Sequence, residues 1–253
     1  MKPDGNGTTS LDPAAEAVRL ILAGETPSPE IASQVTELRL ERSRITDLRP
    51  LVAFTGLRRL VLSNSRVTDL APLAELPTLQ RLELTRSHIS DITPLAGLTA
   101  LERLHLSFTA VSDVTPVADL TRLEGLFLSS TLTADVAPLT NLTRLQRLDL
   151  GGTAVRDIAP LAHLTRLISL ELCGTRVTDI APLAALHNLQ FLDLGATAVR
   201  NLSPLAGLTD LRRLDLRGLS GADLSVPAQL PRCEIVTVAL PRRRGNRLQI
   251  DVR

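Results

Sequence analysis

The chain of 253 residues has no tryptophan and no tyrosine, and only four phenylalanines. An interior built on large aromatic rings is therefore excluded, and any core must be aliphatic. Basic residues interleaved with aromatics, the pattern of a single-strand nucleic-acid groove, are missing too. Two cysteines, Cys173 and Cys233, are too few for a disulfide framework and read as reduced thiols. Lys2 is the single lysine among 28 basic residues, a bias that reads as genome composition. With a net charge of +1, no global field favours nucleic acid or an anionic membrane. No apolar run approaches the ~18 residues of a membrane span. The opening MKPDGNGTTS has no apolar stretch of a secretory signal, so a cytoplasmic location is expected.

What is present is a repeat. Leu142–His163 reads LTRLQRLDLGGTAVRDIAPLAH, and Leu164 begins it again. Asp47, Asp69, Asp91, Asp113, Asp135, Asp157 and Asp179 fall on a 22-residue ruler, as do eight prolines from Pro50 to Pro204. Leu148-Asp149-Leu150 alternates with period two, a short strand with one face inward. Gly151-Gly152-Thr153 turns the chain. Asp157-Ile158-Ala159-Pro160-Leu161 then has an aspartate cap and a proline suited to a first helical turn. Too few residues follow for a full α-helix, so a 3₁₀ or single tight turn is expected on the back. One unit cannot bury its own leucines, and stacking coil on coil does so.

A period in the 20–29 range with the pattern LxxLxLxx(N/C)xL identifies leucine-rich repeats. The form LxxLxxLxLxxNxIxDIxPLAxLT across residues 38–216 resembles the repeats of bacterial internalins, and those of the phosphatase-regulating leucine-rich proteins. That resemblance implies an α/β fold: a right-handed solenoid with a parallel sheet on the concave face and short turns on the convex face. It also implies a protein partner bound on the concave side. Internalins are usually exported, so location does not carry over from them. Where the family has asparagine after the strand, this chain has Ser43, Ser65, Ser87, Thr109, Thr131, Thr153, Thr175 and Thr197. These hydroxyls are expected to bond backbone groups of adjacent coils, more weakly than amides would. Asn201 replaces one aspartate, and Leu132-Thr133 inverts the polar–apolar order, so a bulge is expected there.

Residues 1–10 read as a disordered tail. Residues 11–35 read as a helical N-terminal cap, with Asp12-Pro13 starting one helix and Ser28-Pro29 another. The solenoid spans 36–230, its ninth unit degenerate, with Leu219 in the hydroxyl place and Pro227 one residue late. Residues 231–253 read as cap strands, Ile235–Leu240 and Leu248–Val252, joined by the arginine-rich turn 241–247.

No catalytic constellation emerges. His105 and Cys173 lie three coils apart, about 14 Å at ~4.8 Å per strand, too far for a dyad. Ser107 has no carboxylate in register to orient His105 as its base. The aspartate column serves local caps and does not converge on a metal. No cofactor, metal, nucleic acid or membrane is expected, and the chain is expected to be a monomer.

Two columns flank the strand leucines and point outward. One reads Glu37, Arg59, Arg81, Arg103, Gly125, Arg147, Ser169, Phe191, Arg213; the next reads Arg39, Val61, Glu83, His105, Phe127, Asp149, Glu171, Asp193, Asp215. Four acids stack at the end of the second. They form either a strip for a basic partner or one neutralised by Arg147, Arg213 and Arg217. Phe54 aligns with core leucines, whereas Phe108, Phe127 and Phe191 fall on expected exposed concave positions, with Leu132 beside them. The expected protein-binding set is Arg81, Arg103, His105, Phe108, Phe127, Leu132, Asp149, Glu171, Phe191, Asp193 and Asp215. The expected function is a non-catalytic protein-binding module. The alternatives are a regulatory subunit acting on an enzyme such as a phosphatase and, last, a hydrolase.

Overall fold

The computed structural model describes residues 12–237. Two short helices come first, α1 (Pro13–Leu22) and α2 (Pro29–Gln34). Each starts as the sequence predicts: Asp12 caps α1 by accepting from the Ala14 N–H at 3.3 Å, and Ser28 caps α2 through Ile31 at 3.4 Å. Their inward residues Ala17, Ile21 and Ala32 join the leucine core and cover the first coil.

Among the described residues ten three-residue strands then form one sheet in chain order, every pair parallel and in register. They are β1 (Glu37–Arg39), β2 (Arg59–Val61), β3 (Arg81–Glu83), β4 (Arg103–His105), β5 (Gly125–Phe127), β6 (Arg147–Asp149), β7 (Ser169–Glu171), β8 (Phe191–Asp193), β9 (Arg213–Asp215) and β10 (Glu234–Val236). Between the strands lie single 3₁₀ turns such as Ala71–Glu75 and Ala159–His163. The second expected cap strand, the turn 241–247 and the tail 1–10 lie outside the described residues.

The turns form for a local reason. Asp69 accepts from the Ala71 N–H at 2.8 Å, and the same bond recurs at Asp91, Asp113, Asp135, Asp157 and Asp179. Asn201 makes it at 3.0 Å, so the amide replaces the carboxylate without loss of the turn. Proline follows where no N–H is needed. Hydroxyl and backbone donors of Thr93 and Thr115 hold the Asp91 and Asp113 carboxyls below their usual range. At Asp47 the Arg49 side chain and N–H lower it to about 2.

Leucine, with valine and isoleucine, fills the interior, and Phe54, at a leucine position, is fully buried with them. Backbone bonds continue past each strand into the turn, as in Leu128 N–H to Asp149 O at 2.8 Å and Ser130 N–H to Gly151 O at 2.7 Å. The backbone therefore carries the coil-to-coil ladder.

The hydroxyl column does something else than expected. Thr109, Thr153, Thr175 and Thr197 each donate at 2.6 Å to a carbonyl three residues back in their own coil. From this position the hydroxyl reaches the carbonyl of its own turn instead of the next coil. Ser65 is the exception, with a buried hydroxyl that has no partner among the described residues. The expected bulge at Leu132-Thr133 is absent too. Thr133 fills the buried position, its hydroxyl accepts from Thr131 at 3.0 Å, and Leu132 N–H bonds Val111 O at 2.8 Å as in regular coils.

One column was not legible as such. Arg42, Asn64, Arg86, Phe108, Ser130 and Ala196 have φ between 51° and 59°, where Gly152, Gly174 and Gly218 stand in other coils. A left-handed backbone costs a non-glycine residue roughly 1–2 kcal/mol. Each coil accepts that cost because the turned N–H reaches the next coil, as Phe108 N–H does to Ser129 O at 2.8 Å.

Candidate protein-binding surface

The centre of the sheet carries an aromatic pair. His105 of β4 and Phe127 of β5 stack with ring centroids 4.1 Å apart and planes 9° from parallel. Gly125 makes room for this: a Cβ there would stand 3.1 Å from the Phe127 ring and 3.6 Å from the Arg103 stem. Phe127 thus lies over its own coil's glycine and is half-buried rather than exposed. Gly125 is the residue that sequence reasoning missed, although it is the only glycine in its column.

Arg81 and Arg103 lie half-buried in the neighbouring register positions, with Arg103 paired to Gly125 across the strands. Burial pushes the His105 imidazole below its ordinary value; Glu83 partly opposes this, while Arg103, Arg147 and Arg59 add to it. Arg59 is engaged elsewhere, bridging Glu83 at 2.7 Å and Glu37 at 3.4 Å. The centre is therefore a neutral aromatic stack with arginines at its edge. Ser107 accepts a bond from Ser129 in the next coil at 3.0 Å.

The acidic column occupies adjacent positions on β6 to β9, in register from Asp149 through Glu171 and Asp193 to Asp215. Arg217 pairs with Asp215 at 2.8 Å and, against the effect of burial, holds its carboxyl below the usual range. Arg213 turns away to Glu234 at 3.3 Å. Among the described residues, Asp149, Glu171 and Asp193 have no ion pair. Asp149 and Asp193 instead accept from the N–H groups of Gly151 and Gly195 at 2.9 and 2.8 Å. Burial raises the Glu171 carboxyl, and Asp149 and Asp193 raise it further. Burial and the same acids push the Cys173 thiol to about 11, which leaves it a poor nucleophile. Phe191, 45% exposed, stands over a shallow hollow of about 300 Å³ with Ser169, Glu171, Asp193 and Arg213.

Phe108 and Leu132 are not on the strands. Both lie in the turns at the strand ends, Phe108 with φ 59°, because the two-residue alternation stops at Leu106. They are 49% and 64% exposed. Arg86, one coil earlier, sits over the Phe108 ring at 4.9 Å from its centroid. Such a cation–π contact at an exposed site contributes about 0.5–1 kcal/mol. Its sequence signal is the 22-residue spacing between the two.

Comparison with known proteins agrees with this architecture. The family described as Leucine Rich repeats (2 copies) matches residues 165–207. The structure is similar to an internalin (InlF) from Listeria monocytogenes, with a TM-score of 0.81 and 28% identity over 90% of this chain and 71% of that one. It is also similar to internalin C2 (InlC2) of the same organism, with a TM-score of 0.75 and 31% identity over 81% of this chain and 92% of that one. The leucine-rich ectodomain of the Arabidopsis thaliana receptor kinase GASSHO1/SCHENGEN3, solved in complex with CASPARIAN STRIP INTEGRITY FACTOR 2, shares the fold alone. There the TM-score is 0.69 and the identity 18%, over 83% of this chain and 28% of that one. No curated protein matches the chain by sequence. With its 22-residue coils, parallel sheet and identity to internalin C2, the chain belongs to the internalin-like family of leucine-rich repeat proteins.

Proposed function

We propose that this protein is a non-catalytic module that binds a protein partner on its sheet face. The observation that carries this reading is the His105–Phe127 stack, bedded on Gly125 and edged by Arg81 and Arg103. An apolar centre inside a charged rim is the usual arrangement of a protein–protein hot spot. Phe191 and the acids Asp149, Glu171 and Asp193 extend the contact toward β8, while Asp215 is engaged by Arg217. Phe108 and Leu132 border it at the strand ends. A leucine-rich ectodomain of the same fold, that of GASSHO1/SCHENGEN3, is known in complex with another polypeptide. A bacterial, cytoplasmic setting and a monomeric state belong to the same proposal; the Listeria relatives and the two free cysteines support the first two.

The test is capture of partners from a bacterial lysate on the wild-type chain and on a Phe127→Ala/Phe191→Ala variant, followed by calorimetry with the purified partner. Loss of two aromatic anchors should cost at least about 2 kcal/mol, roughly thirtyfold in affinity. A captured partner that binds both forms equally, or a chain that captures none, overturns the reading.

A further inference from the structure

The turns that follow β1 to β5 make a second row, beside the sheet face and distinct from it. Its left-handed column runs Arg42, Asn64, Arg86, Phe108, Ser130. Two residues further on, the exposed positions are Arg44, Arg66, His88, Ala110 and Leu132. The row is thus basic over three coils and apolar over the next two. Among the described residues none of Arg42, Arg44, Arg66 and Arg86 forms an ion pair. Glu41 is the only carboxylate in these turns between the strand-end leucine and the second exposed position.

Phe108 is the unusual member. A bulky side chain at φ 59° is disfavoured where glycine or asparagine would fit without strain. It is also exposed, so burial of the ring in the core does not explain its presence. Arg86 over its face presets the ring's orientation. A strained, exposed aromatic points to a role in contact with something else.

We propose that this row is a docking edge for an extended acidic–apolar peptide segment of a partner protein, its carboxylates on Arg44, Arg66 and Arg86 and its apolar side chains on Phe108 and Leu132. Charge complementarity selects the acidic part, since these turns carry four arginines without an ion pair and a single carboxylate, Glu41. Four steps of ~4.8 Å from Arg44 to Leu132 make about 19 Å, the reach of some six extended residues. The unpaired acids Asp149, Glu171 and Asp193 lie beyond the apolar end and repel the acidic part, which sets the segment's direction along the row. The proposal goes beyond the sheet-face reading: it rests on the arginines Arg44, Arg66 and Arg86 with Phe108 and Leu132, which only border that face, and not on the His105–Phe127 stack.

The experiment selects a displayed random dodecapeptide library on the purified full chain, then measures the affinity of synthetic versions for variants. Enriched peptides should join an Asp/Glu run to Leu, Ile or Phe and bind more weakly at high salt. Arg66→Glu and Phe108→Asn should each weaken them roughly tenfold, as expected for an arginine or aromatic anchor. Phe108→Asn should leave Tm within about 2 °C of the wild type, because the relief of strain offsets the lost cation–π contact with Arg86 while no core contact is lost. Failure to enrich any peptide, enrichment of peptides without carboxylates, or equal affinity for these variants overturns the proposal. So does a fall in Tm of more than about 4 °C for Phe108→Asn, beyond what the lost cation–π contact accounts for, which would make the ring structural. Peptides weakened by Phe127→Ala/Phe191→Ala but not by Phe108→Asn leave the sheet-face reading standing and sink this one.

Discussion

His105 and Phe127, 22 residues apart in the chain, lie face to face at 4.1 Å on adjacent strands. The stack has a pH consequence. Burial holds the imidazole below its ordinary pKa, so the fold disfavours the protonated ring. The contribution to stability is complete above the unfolded value of about 6.5 and is lost as pH falls through the lowered folded value. Tm of the wild type should therefore drop between pH 7.5 and 5 more steeply than that of His105→Gln. Parallel Tm–pH curves for the two proteins would remove His105 as the cause.

Glu171 has the opposite sign. Its carboxyl is raised by burial and by its acidic neighbours, so the folded chain holds that proton more tightly than the unfolded one. This contribution is fully present below the unfolded pKa of about 4.3 and is lost as pH rises through the folded value. Glu171→Gln should raise Tm at pH 7 and leave it unchanged near pH 3.5. An unchanged Tm at pH 7 would mean that solvent and counterions screen the strip.

Thr153 and Ser65 occupy the same place in different coils but differ in bonding. The Thr153 hydroxyl donates to Leu150 O at 2.6 Å, while that carbonyl also receives the Thr153 N–H at 3.2 Å. Thr153→Val should cost about 0.5–1.5 kcal/mol, since one bond is lost but the carbonyl keeps another. Ser65→Ala should cost nothing or stabilise slightly, because its buried hydroxyl has no partner among the described residues. Chemical denaturation of the two variants checks the contrast, and equal losses would contradict it.

The 22-residue period by itself determined the strand positions, their register, the buried leucines, the 3₁₀ turns and the aspartate caps. The turns and caps depend on neighbours within a few residues, and the register and the buried leucines on an equivalent coil 22 residues away, so spacing is sufficient. Only the tertiary structure decided where particular side chains go. Phe127 leans over Gly125 onto His105, Arg217 rather than Arg147 neutralises an acid, and the hydroxyls bond their own coil. Phe108 enters a left-handed turn that a glycine would ordinarily mark. These outcomes depend on rotamers, side-chain reach and free space one coil away, quantities that a one-dimensional repeat does not encode.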